Sequence, residues 1–232
     1  MPPDFETTSL LNAPALSPLR RRKTTAEEVE DRLIIAIARG DKKPGERLTE
    51  AEISDALEVS RVPAREAMQK LQHRGILVGH GQRGLRVADY SPRRVAELLE
   101  LRAAIEAIFF RHVMRPGHDR APLIAALEGL LDEMAALSGI DDPIVLSMID
   151  LEFHRTIATH SGNDLAAQMW EGLAQHMLIV FCRDWSQTAD RTGEVELHRK
   201  LVEFLRQGDA SDIEAALRYH FTGPNARQAI RS

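Results

Sequence analysis

Four polar side chains fall where helical periodicity calls for apolar ones. In VLSMIDLEFHRTIA, Asp150 and His154 stand four apart, flanked by Leu146, Ile149, Phe153 and Ile157. In EVELHRKLVEFL, His198 lies between Val195 and Val202 on a stripe that runs on to Leu205, and in DIEAALRYHF, His220 continues the stripe of Ile213 and Leu217. Each unpaired polar group in a core costs about 1–3 kcal/mol, so the four need partners. One carboxylate and three imidazoles make a ligand set for a divalent transition metal, with two ligands from successive turns of one helix and one from each of two others. The set predicts one divalent metal ion per chain (zinc, nickel or manganese); the alternative is a polar cluster satisfied from within. His112 and His176 also touch apolar stripes, as isolated core histidines do. A fifth misplaced charge is Arg102, in ELLELRAAIEAIFF, among Val95, Leu98, Leu99, Ile105 and Phe109. A buried guanidinium needs an anion, either a protein carboxylate such as Glu106 or that of a ligand.

A second constellation lies earlier, in EVSRVPAREAMQKLQHRGILVGHGQRGLRV. Ser60 stands at the start of a short helix with Pro63 in its first turn, where a missing N–H costs little. Arg61 and Arg65 share one face, while Ala64, Ala67, Met68 and Leu71 share another. A helix fits the DNA major groove, and the arginine fork matches guanine O6/N7 and phosphate. The alternative is an exposed helix with solvated arginines. The elements around it decide in favour of DNA. Thr25 and Glu28 have capping-box spacing before the stripe Val29, Leu33, Ile34 and Ile37, and Gly40 ends that helix. DKKPGERL is a turn and a short extended element. Thr49 and Glu52 repeat the box ahead of a second helix, with Ile53, Ala56 and Leu57 facing inward. After Gly75, ILVGHGQRGLRVADY alternates around a glycine-rich tip as a two-stranded hairpin does, with His80, Gly81 and Arg83 placed to reach the minor groove or backbone.

The expected fold is therefore mainly α: a flexible basic tail at residues 1–23, a winged helix-turn-helix at 24–90, and an all-helical bundle at 91–232. The bundle opens on Ser91 and Pro92, with helices expected near 92–115, 121–138, 143–160, 164–183, 191–207 and 210–221. Composition agrees. The 232 residues carry a net charge of −5, but residues 20–90 hold 15 Lys and Arg against 12 Asp and Glu, whereas residues 91–232 hold 15 against 21. A basic segment on an acidic body suggests a polyanion partner for the first part alone. A single cysteine, Cys182, excludes an internal disulfide framework and suits a cytoplasmic protein. No stretch approaches the length of a membrane helix, and the N-terminus lacks the apolar core of a secretory signal.

The run PGERLTEAEISDALEVSRVPAREAMQKLQHRGILVGHGQRGLRV resembles the DNA-binding domain of the GntR family of bacterial transcription regulators. The resemblance spans residues 24–88 and implies that Ser60, Arg61, Arg65, His80 and Gly81 contact DNA. Val62 stands where that pattern usually has Thr, and Met68 where it has Leu. Residues 93–222, with DLEFH, HSGN, ELH, YHF and LVEFLRQGDASDIEAAL, resemble the FCD effector domain of the FadR-like branch, closest to its six-helix VanR-like group. That resemblance implies metal binding at Asp150, His154, His198 and His220, and an effector carboxylate at Arg102. The expected function is a ligand-responsive regulator, a homodimer on double-stranded operator DNA, with a small organic acid as effector. The alternatives are a direct metal sensor and a metal-dependent hydrolase, the latter suggested by the quartet and by His118–Asp119.

Overall fold

The computed structural model describes residues 24–79, 84–139, 142–185 and 192–222. The 1–23 tail and the wing tip, with His80, Gly81 and Arg83, lie outside the described residues.

Helix α1 (Thr25–Ala38) begins one residue earlier than the expected box: Thr24 is the cap, its hydroxyl accepting from the Glu27 amide while the Glu27 carboxylate accepts from the Thr24 amide. TTAEE contains two overlapping capping boxes, and the earlier one gives the helix an extra residue. Helix α2 (Glu50–Ala56) opens on the expected box, Thr49 with Glu52. It is so short that Ile53 alone is buried, and Ala56, expected inside, is exposed. The turn into α3 (Arg61–His73) passes through Glu58, a non-glycine residue at φ 53. Strands β1 (Arg47–Leu48), β2 (Leu77–Val78) and β3 (Leu85–Val87) form one antiparallel sheet in the order β1-β3-β2. The expected hairpin thus gains a third strand, because Leu48 pairs with Leu85 while Leu77 pairs with Val87. Gly79 sits at φ +135, where a Cβ would come 2.9 Å from the Gly84 carbonyl oxygen, so the wing leaves the sheet through a position only glycine fits.

Six α-helices follow among the described residues: α4 (Pro92–Val113), α5 (Ala121–Leu137), α6 (Pro143–His160), α7 (Asp164–Trp185), α8 (Thr192–Gln207) and α9 (Ile213–Thr222). The last expected helix is divided: Ala210–Asp212 is a 3-10 turn capped by Asp209, and α9 begins behind it. Helix α6 packs on α5 and α7, α4 on α6, α7 and α9, and α8 on α5 and α9, so α4, α6, α8 and α9 converge on one interior.

The two halves share a single hydrophobic cluster, running from Val29 and Leu71 through Val95 and Trp170 to Phe221. Helix α1 packs on both α3 and α7. Polar contacts line the same joint. Arg183 donates to the Tyr90 carbonyl (3.0 Å), and Gln175 donates to the buried Glu30 carboxylate (3.0 Å), which also pairs with Arg74.

Leu71 of α3 is fully buried in this shared cluster. Leu71→Ala should lower the unfolding free energy by about 2–5 kcal/mol, read by urea denaturation followed by circular dichroism.

Candidate functional site

Helix α3 divides by face. Ala64, Ala67, Met68 and Leu71 are buried against α1 and α2, and Arg61, Val62 and Arg65 face solvent. Ser60 is the N-cap, yet its hydroxyl makes no capping bond within the helix. Arg65 is held by a bidentate pair with Glu50 of α2, Nε at 2.9 Å and a terminal nitrogen at 2.8 Å. Arg61 makes no ion pair among the described residues. Val62, at 61% exposure, is an apolar side chain presented to solvent at the helix start.

The second site lies inside the bundle. Asp150 and His154 come from α6, His198 from α8 and His220 from α9, and all four are buried. One ring nitrogen from each of His154, His198 and His220 lies within 4.8 Å of the others. His154 Nε2 and His220 Nε2 face each other at 3.2 Å. Asp150 Oδ1 is 2.9 Å from His198 Nε2, which joins the carboxylate to the cluster. The four expected residues are therefore neighbours. Neither His118 nor Asp119 belongs to the cluster: both lie exposed beyond α4.

Two of the three rings are aimed by a second contact. His198 Nδ1 donates to the Glu194 carbonyl at 2.8 Å, which leaves Nε2 as the atom offered to the centre. His154 Nδ1 is 2.6 Å from Glu106 Oε2, which turns its Nε2 toward His220. His220 Nδ1 is buried without a hydrogen-bond partner. The His198–Asp150 and His154–Glu106 contacts are close but lack hydrogen-bond alignment. Nitrogen lone pairs and a carboxylate oxygen brought this near one another favour a shared cation, and outer carbonyl and carboxylate partners are how metal-binding histidines are held. The donor set fits a divalent ion on Asp150, His154, His198 and His220.

Glu106 is the functional residue that periodicity alone did not single out. It lies one turn after Arg102, and its Oε1 accepts from Arg102 Nε (2.7 Å) and from Trp170 Nε1 (3.0 Å). The i, i+4 spacing made its pairing with Arg102 foreseeable; its contact with His154 depends on how α4 crosses α6. Arg102 is 1% exposed and spans two carboxylates, with a terminal nitrogen 3.4 Å from Asp150 and its guanidinium over the rings of Phe221 and Phe181.

Burial alone would raise the pKa of both carboxylates. Arg102 with His198 overrides it for Asp150, holding that group well below the usual range, and His154 with Arg102 holds Glu106 down at about 2. Both are ionised. Burial keeps His154 and His220 below the ordinary imidazole value, with the neighbouring histidine charges adding to the effect at His220. For His198 burial acts the same way, but the Asp150 carboxylate wins and the pKa rises.

Known proteins match both halves. The family model for bacterial regulatory proteins of the gntR family matches residues 25–87, and that for the FCD domain matches residues 97–223. A Paenarthrobacter nicotinovorans protein named "Probable D-xylose utilization operon transcriptional repressor" is 27% identical over 86% of each chain. The Bacillus subtilis HTH-type transcriptional regulator YcbG is 30% identical over 81% of this chain and 83% of its own. The solved structure of E. coli McbR/YncC superposes with a TM-score of 0.65 at 20% identity, covering 90% of this chain and 96% of that one, and shares the fold.

Glu106→Gln removes the closest charge partner of a fully buried arginine. The unfolding free energy should fall by about 3 kcal/mol, as for other buried pairs broken from one side, measured by urea denaturation at neutral pH.

Proposed function

Because this chain belongs to the GntR family of bacterial regulatory proteins and carries an FCD domain, we propose that it is a ligand-responsive repressor that binds a pseudo-palindromic operator in double-stranded DNA as a homodimer in the cytoplasm. Transcription regulation through DNA binding, and not enzymatic turnover, is the activity of the family. The observation that carries the finer reading is the union, in one chain, of a solvent-facing arginine-bearing helix and a buried Asp150, His154, His198 and His220 donor set.

Helix α3 enters the major groove with its N-terminal residues foremost. Arg61 and Arg65 read base edges or phosphates, Ser60 donates its uncommitted hydroxyl to phosphate, and Val62 suits a thymine methyl. His80, Gly81 and Arg83 of the wing reach the backbone or minor groove. One such domain covers a single half-site, so two copies are needed. Leu101 of α4 and Leu165 and Met169 of α7 are large apolar side chains 56%, 69% and 63% exposed, beside a groove lined by Leu98, Ile105 and Leu173. A second copy covers that face.

Asp150, His154, His198 and His220 hold one divalent ion, zinc, nickel or manganese, which supplies a Lewis-acid site for an oxygen ligand. The fully buried charges beside it are Arg102, Glu106 and Asp150, one positive and two negative. With neutral imidazoles and a divalent ion those three charges leave one surplus positive charge, beside the partly buried Glu194 carboxylate. A small organic acid bearing one carboxylate neutralises it, with Arg102 at the wall as the other cation facing the acid. Direct metal sensing uses the same donor set, with the ion itself as the signal.

Arg61→Ala should weaken operator binding by about 1–3 kcal/mol at fixed salt without altering thermal stability. Glu50→Gln should instead tighten binding, because it frees Arg65 and removes an acidic group from the DNA-facing side. Fluorescence anisotropy on a selected operator duplex checks both, and wild-type affinity in Arg61→Ala overturns the assignment.

The protein purified without chelator should carry about one divalent ion per chain by elemental analysis. His220→Ala should lower that content and the melting temperature together. Calorimetry on the loaded wild type should detect small carboxylic acids but not their amides, and His220→Ala should lose that binding. A metal-free wild type that zinc does not stabilise overturns this part.

A further inference from the structure

Helix α7 runs from the buried centre to the DNA-binding half, and it is hydrogen-bonded at both places. In its second turn, Trp170 is 1% exposed and donates Nε1–H to Glu106 Oε1 at 3.0 Å; the other oxygen of the same carboxylate faces His154 Nδ1 at 2.6 Å. Six residues later, about 9 Å along the axis at 1.5 Å per residue, His176 is buried in the joint between the halves. Its Nε2 is 2.8 Å from the Arg74 carbonyl and its Nδ1 is 2.9 Å from the Tyr90 hydroxyl. A carbonyl only accepts, so Nε2 carries the proton and Nδ1 accepts from Tyr90. Burial keeps the imidazole below its usual pKa and the phenol above its own, so a neutral ring meets a protonated hydroxyl.

The two groups that His176 joins have distinct meanings. Arg74 is the C-cap of α3, the helix that carries Arg61 and Arg65. Tyr90 lies in the segment between β3 and α4, immediately before the bundle. The neighbouring Gln175 adds a second grip: its side-chain oxygen accepts from Arg74 at 2.8 Å and its nitrogen donates to Glu30 of α1 at 3.0 Å. Between the two attachments, Leu173 and Ala174 are buried, and Gly172 is the one residue without a side chain.

We propose that α7 is the element that couples the buried histidine centre to the recognition helix, with Trp170 and His176 as its positioning residues at the two contacts. Glu106 is shared between His154 and Trp170, so any rearrangement of His154 on ion binding is felt at Trp170. Helix α7 carries that displacement to His176. There it meets the last carbonyl-capping turn of α3 rather than a loose linker, and α3 shifts with it. Neither residue touches DNA or belongs to the donor set. The inference rests on the metal reading above, and its test separates the two.

The test uses the full chain as wild type, Trp170→Phe, His176→Phe and His176→Gln, stripped with chelator. Zinc is titrated into each by calorimetry, and affinity for one operator duplex is read by anisotropy with and without zinc. Zinc affinity should agree within about threefold across the four proteins. In the wild type zinc should change operator affinity at least about fivefold, within the usual range of allosteric coupling. That factor should fall toward one in Trp170→Phe and His176→Phe while zinc is still bound. His176→Gln, whose amide still reaches the Arg74 carbonyl, should retain part of the factor, and with Trp170→Phe it decides the matter should His176→Phe not fold. A wild-type factor retained in Trp170→Phe or His176→Phe overturns the proposal. So does a wild type that binds zinc with no change at the operator. A wild type that takes up no zinc overturns the metal reading and this inference together, and calorimetry alone distinguishes that result.

Discussion

The Arg102 guanidinium organises the interior of the bundle. Among the described residues it is the one fully buried arginine or lysine, and it holds Glu106 at 2.7 Å and Asp150 at 3.4 Å. Without it two carboxylates at 1–2% exposure would protonate or turn outward, since an isolated ionised carboxylate in a core is several kcal/mol out of balance. Ionised and fixed, each faces one imidazole: Glu106 faces His154 and Asp150 faces His198. The carboxylates beside two of the three rings are thus held in place by one salt-bridged arginine on α4. Apolar replacement of a buried ionic network is often neutral or stabilising, so this network is weak evidence for stability by itself.

What the sequence disclosed follows the periodicity of its elements. The i, i+4 pair Asp150–His154 and the single histidines on two apolar stripes were visible because a helix converts spacing into direction. The convergence of His154, His198 and His220 within 4.8 Å required a tertiary arrangement that spacing does not encode. Glu106 shows the boundary well. Its partner on its own helix was foreseeable, whereas its partners on α6 and α7 were not. The same limit applies to β1: Arg47–Leu48 read as an extended element, and only the fold joins it to β3. Short elements also escape the averaging that makes long helices legible, as Ala56 on the seven-residue α2 shows. The overlapping boxes in TTAEE were a local ambiguity that one hydrogen-bond pair resolves.

The DNA-facing surface balances attraction against self-pairing. Arg65 is already satisfied by Glu50, bidentate and half exposed, so its transfer to a base or phosphate exchanges one charge-assisted pair for another. Such an exchange adds little affinity but selects partners that offer an equally good planar acceptor. Arg61 has no salt bridge among the described residues and only the more distant field of Glu50, so on the proposed reading a contact to DNA would give up less than that of Arg65. On that reading, two arginines on one helical face would divide the work, one weighted toward affinity and the other toward specificity.

The joint between the halves determines whether a change in the bundle reaches that surface. Were α3 tied to the bundle only by a flexible linker, a rearrangement of α7 would dissipate in the linker. Here the core cluster is continuous across the joint, and close-packed interiors transmit displacement rather than absorb it. Polar contacts add direction to this stiffness, because a ring bonded through both nitrogens has no alternative orientation that satisfies both partners. The Tyr90 hydroxyl is buried with it, so breaking that contact would leave a polar group unpaired at about 1–3 kcal/mol. That penalty exceeds thermal energy several-fold, so small motions of α7 move α3 as a body in preference to breaking the link.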